Sequence, residues 1–90
     1  MSNIFDLTTR PGAELFFGRG DRNDPRLGEV VGREETDYSG ADIVILGCPQ
    51  DEGVRRNHGR PGAAGAPTAI RAQFYKLSTF NITKRIFDLG

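Results

Sequence analysis

Apolar side chains are unevenly distributed along these 90 residues, and the pattern changes at Ala41. From Met1 to Gly40 they stand as isolated dyads, Ile4-Phe5 and Leu15-Phe16 with Phe17 beside the second, set among turn formers and without helical or strand periodicity. This predicts an irregular amino-terminal arm over 1–40 that pins a few apolar groups onto a surface elsewhere. Within it, Asp24-Pro25-Arg26-Leu27-Gly28 reads as a turn and Glu29 to Glu35 as one short extended or helical piece.

Beyond the arm the order is clearer. Ile43-Val44-Ile45-Leu46 is a continuous apolar run between Gly40 and Gly47, the pattern of a strand covered on both faces, as in a parallel sheet. Pro67 suits a first helical position, and Ile70, Phe74 and Leu77 follow at i, i+4, i+7, which predicts an amphipathic helix of about three turns with those side chains inward. Arg85-Ile86-Phe87-Asp88-Leu89-Gly90 predicts a second strand. Strand, helix, strand in that order implies a right-handed parallel crossover, and two parallel strands with unpaired edges are an unfinished sheet. Residues 41–90 are therefore expected to open a larger α/β domain.

Between strand and helix lies Cys48 to Ala66, CPQDEGVRRNHGRPGAAGA, nineteen residues where two to six are usual. It leaves the carboxyl end of a strand, where open α/β sheets place ligands. Arg55, Arg56 and Arg60 offer planar donor forks suited to carboxylate or phosphate, and Asn57 adds an amide. Together with the amino end of the following helix they form a candidate carboxylate clamp. The plainer reading pairs each arginine with Asp51, Glu52 or an acid elsewhere. His58 reads as a surface group and Cys48 as a small buried hydrophobe. A metal or acid–base role for Asp51 with Glu52 is disfavoured, because neighbours in an extended segment point opposite ways.

Charge and composition narrow the classes. The net charge is zero, but residues 1–42 carry nine acids and five bases whereas residues 43–90 carry three acids and seven bases, so the second half favours an anion. The bases form no stripe of the kind that binds nucleic acid. A single cysteine excludes an internal disulfide, and no Cys/His cluster suggests zinc. Gly18-Arg19-Gly20 lacks the strand context and third glycine of a dinucleotide fingerprint, and Arg19-Gly20-Asp21 is too short a match to argue adhesion. The start shows no signal-peptide pattern, and the longest apolar run is far short of the ~20 residues a membrane span needs, so a cytoplasmic protein away from membranes is expected.

The run ADIVILGCPQDEGVRRNHGRPGAAGAPTAIR, followed by RIFDLG, resembles the amino-terminal part of the ureohydrolase (arginase) superfamily, with a G-x-P strand end, a glycine-rich loop and a G-P-x-x-[IL]-R helix start. GVRRNHGRPGA, with FFGRGDRNDPRLGEVV upstream, is most similar to its formimidoylglutamase branch; Ala66 stands where the family often has glycine, and Phe17 where tryptophan is expected. The resemblance implies a three-layer α/β fold around a parallel sheet of about eight strands. It also implies a binuclear manganese centre that activates water against an amidine or guanidine carbon. The family's GGDH, D-A-H-x-D and S-x-D-x-D ligand motifs do not occur in this sequence, so the chain alone is expected to be inactive and to bind no manganese tightly. Arg55, Arg56, Asn57 and Arg60 would then hold an anionic small-molecule substrate, N-formimidoyl-L-glutamate before arginine or agmatine. Arginase-type or agmatinase-type chemistry is the neighbouring alternative. Two non-catalytic readings stand beside these: an interaction module that pairs with a partner or with copies of itself through exposed sheet edges, and a small phosphate-binding domain.

Overall fold

The computed structural model describes residues 3–59 and 62–90. In chain order it contains short 3-10 turns at Ile4–Asp6 and Ala13–Leu15, helix α1 (Leu27–Val30), a 3-10 turn at Glu35–Gly40, strand β1 (Ile43–Ile45), helix α2 (Glu52–Arg56), a 3-10 turn at Ala63–Gly65, helix α3 (Ala66–Phe74) and strand β2 (Ile86–Asp88). β1 and β2 pair in parallel with Ile43 opposite Ile86, Val44 opposite Phe87 and Ile45 opposite Asp88. The predicted strand–helix–strand order is therefore present, with both strands shorter than the sequence runs that announced them. No helix among the described residues is long and apolar enough to cross a membrane.

Three expectations need correction. The first concerns α3. Ile70 and Leu77 are 64% and 54% exposed and Phe74 is only partly covered, whereas Arg71 and Tyr75 are buried. Spaced i, i+4, those two share a face that meets Asp88 of β2, Leu27 and Val31, and the ring of Phe16, while of the predicted trio only Phe74 packs against that core. Nor does α3 reach Leu77. The carbonyls of Tyr75 and Leu77 accept the N–H groups of Gly28 and Leu27, and Thr79 donates to Pro25, so the chain leaves the helix to pair with the arm.

The second concerns the sheet. β1 was expected to be covered on both faces, yet Ile43 and Val44 are 46% and 43% exposed. β2 was expected to have a free edge, yet Gly32 pairs with it in parallel, donating to the Ile86 carbonyl at 2.8 Å and accepting from the Asp88 N–H at 2.9 Å. β2 is thus flanked on both sides, and alternation sends Phe87 to one face and Asp88 to the other. Phe87 meets Phe5 and Tyr38 edge-to-face, with the Arg10 guanidinium above it, while Asp88 faces α3.

The third concerns the arm, which supplies part of the core rather than a few pinned side chains. Leu27 and Val31 are buried with Tyr75, and Leu15, Phe16, Phe74 and Ile86 pack around them. Phe16 stacks on Tyr75 at 4.7 Å between centroids, and Arg33 lies over the outer face of Phe16. A helix of four residues has no stability of its own. α1 persists because Glu29 accepts the Arg26 N–H at its start and because Leu27 is buried.

Candidate functional site

The long connection between β1 and α3 begins where the two strands are tied together: Leu89 donates to the Ile45 carbonyl and Gly47 to the Gly90 carbonyl. Asp51 and Glu52 were expected in an extended segment, but Glu52 instead opens α2. The Gln50 amide oxygen accepts the N–H of Glu52 at 2.6 Å, satisfying a free donor at the start of that helix. The Asp51 carbonyl accepts the Arg55 N–H. Its side chain does something else: Oδ1 accepts the N–H groups of Gly62, at 3.0 Å, and Ala64, at 2.8 Å. These two backbone donors hold the Asp51 carboxyl below its ordinary range, Gly62 contributing most. Asp51 thereby closes the loop upon itself, staking residues 51–64 as a ring.

Three of the four sequence-predicted side chains fall on described residues between Asp51 and Gly62. Arg55, Arg56 and Asn57 follow one another at the end of α2, all exposed. Arg56 donates from Nε to Glu52 at 2.8 Å, one helical turn back, in an exposed pair. Arg55 has no ion pair among the described residues. His58, also exposed, takes a left-handed backbone angle of 59° as the chain turns out of the helix. Arg60 lies outside the described residues. Successive helical positions diverge by about 100°, so Arg55 and Arg56 present their forks in different directions. Cys48, expected to be buried, is exposed.

A second cluster, under the loop rather than on it, was not anticipated. Asp88 receives Nε–H and Nη2–H of Arg71 at 2.8 Å each, the Tyr75 hydroxyl on Oδ2 and the Gly90 N–H on Oδ1. Asp88 and Tyr75 are fully buried and the Arg71 side chain nearly so. Burial, reinforced by donation to the Asp88 carboxylate, holds the Tyr75 phenol well above its ordinary range. A hint was legible: an aspartate inside the apolar run Ile86 to Leu89 requires a buried partner, and Arg71 ends the helix-start motif. Among the described residues no three His, Cys, Asp or Glu side chains gather as a metal site would require, so this part of the molecule does not fit a metal centre.

A parallel strand pair joined through a helix, with a polar loop at the carboxyl end of its first strand, is the repeating unit of α/β folds. The Arginase family profile matches residues 41–90, and the chain belongs to that family. Its sequence is formimidoylglutamase-like. It is 42% identical to the formimidoylglutamase of Salmonella arizonae over 84 aligned residues, covering 84% of this chain and 26% of the relative. The formimidoylglutamases of Citrobacter koseri and Salmonella paratyphi C are 42% and 43% identical, covering 84% and 72% of this chain and 26% and 22% of their own lengths. The chain thus spans about a quarter of the curated relatives it matches. No solved structure matches it significantly.

Proposed function

We propose that this chain forms the opening unit and substrate-gripping rim of a cytoplasmic, manganese-dependent hydrolase of linear amidines, with N-formimidoyl-L-glutamate as substrate and L-glutamate and formamide as products. The observation that carries the reading is the similarity to proteins named formimidoylglutamase, which runs through the arginine-bearing loop and covers 84% of the chain. The loop geometry supports it: Asp51 stakes the ring at Gly62 and Ala64, so the Arg55 fork is offered from a closed base rather than from a free chain. Of the substrates considered, N-formimidoyl-L-glutamate carries two carboxylates, arginine one and agmatine none, so an arginine rim favours the first. Arg55, Asn57 and Arg60 take its glutamate end, with Arg56 joining only by leaving Glu52. The hydrolytic step belongs to residues other than those described here, and the three-layer sheet of about eight strands is the frame in which this unit would sit.

The test uses a full-length relative. Replacing its counterpart of Arg60 by Ala should raise KM for N-formimidoyl-L-glutamate about tenfold with kcat little changed, the loss of one charge-assisted contact. An unaltered KM would remove the arginine rim from the mechanism. The 90-residue chain, titrated with manganese by calorimetry, should show no tight binding and no formamide release; either would overturn this division of labour.

A second reading rests on one feature. The outer edge of β1 has no strand partner among the described residues, and its side chains are half exposed, so the isolated chain would associate through that edge. Sedimentation velocity should then show concentration-dependent growth that Val44→Lys suppresses.

A further inference from the structure

The buried Arg71 guanidinium is only partly used by Asp88. The bidentate pair takes its side edge, Nε and Nη2, and Nη1 has no hydrogen-bond partner among the described residues. Helical side chains lean toward the amino end of their helix, which carries this head group past Pro67 to the bare backbone of Gly47. A side chain added at Gly47 would place its Cβ 2.9 Å from Nη1 and 3.0 Å from the Pro67 Cβ. Glycine there keeps the end edge of the guanidinium open. Arg71 and Gly47 both line a hollow of about 250 Å³ at the carboxyl end of β1, whose other walls include Leu46, Cys48, Ala63 and Ile70.

We infer that this hollow is a binding site for a small monocarboxylate with a short aliphatic tail, its carboxylate on the open Nη1 edge of Arg71 and its tail against Leu46 and Ile70. The charge balance selects the class. Arg71 and Asp88 together are neutral, so a dianion would meet the Asp88 field without a second cation to offset it, whereas one carboxylate can share the guanidinium from its other edge. Asp88 and Tyr75 hold Arg71 in place before any ligand arrives, which lowers the ordering cost of binding. The hollow is separate from the Arg55 rim and exists whether or not the hydrolase reading holds.

The test titrates butyrate into the 90-residue chain and follows the amide signals of Gly47 and Cys48 by NMR, with butyramide as the uncharged control. Butyrate should saturate with a dissociation constant on the order of 1 mM, and butyramide should bind about tenfold more weakly or not at all. Replacing Arg71 risks unfolding, so Gly47→Ala is the variant: it fills the space before Nη1 and should weaken butyrate about tenfold or more while the buried tyrosine keeps its near-ultraviolet signal. Equal binding of butyrate and butyramide overturns the proposal. So does a linear, non-saturating response to butyrate, or full affinity in a folded Gly47→Ala chain.

Discussion

Asp88 on β2 and Arg71 on α3 are joined by two parallel 2.8 Å hydrogen bonds, seventeen residues apart in sequence and both buried. Each charge is tolerable inside only because the other is present.

Removal of one member should therefore be far worse than removal of both. Asp88→Ala leaves a buried guanidinium and should cost about 3–5 kcal/mol, a large part of the stability of a small domain. The double variant Arg71→Met with Asp88→Leu should recover much of that loss in urea denaturation. A single Asp88→Ala variant within about 1 kcal/mol of the parent would show that the pair does not organise the fold.

Tyr75 gives the pair a pH signature. Its phenol is raised in the folded state, so the folded form holds the proton more tightly than the unfolded chain. The associated stability is fully present below the unfolded phenol value of about 10 and is lost as pH rises above it. Stability measured from pH 9 to 11 should decline, and Tyr75→Phe should remove most of the Tyr75 part of that slope at a cost of about 1–3 kcal/mol at neutral pH.

Asp51 acts with the opposite sign. Its carboxyl is lowered in the folded state, so loop closure is fully present above the unfolded carboxylate value of about 3.9 and is lost as pH falls through the lower folded value. Asp51→Asn should speed amide exchange at Gly62 and Ala64 while leaving exchange in β2 unchanged. Equal protection in parent and variant would mean that the carboxylate is not what closes the ring.

The orientation of α3 can be checked by pairing two substitutions. Ile70→Ser alters an exposed position and should change stability by no more than about 0.5 kcal/mol. Leu27→Ala opens the core beneath Tyr75 and should cost about 2–4 kcal/mol. The reverse order would restore the apolar-face assignment that periodicity suggests.

What could be read from the chain was local. Ile43 to Ile45 and Ile86 to Asp88 announced themselves as strands because β-branched and aromatic side chains cluster there, and Pro67 marked a helix start. What could not be read depends on groups far apart in sequence. Periodicity counts apolar residues, so it selected Ile70, Phe74 and Leu77 and missed the face fixed by Arg71 and Tyr75 through Asp88. The arm was underestimated for the same reason: α1 and Gly32 hold their shape through Tyr75, Leu77, Ile86 and Asp88, none of them near in the chain. In the loop, arginines drew notice by their number, yet the ring is closed by Asp51 reaching eleven and thirteen residues ahead.

Gly32, a single residue bridging to Phe87, occupies the backbone donor and acceptor on the far flank of β2. The sheet is thereby closed to newcomers on that side, and any additional strand must be laid beside Ile43–Ile45. The edge left open is thus decided by a glycine well ahead of either strand.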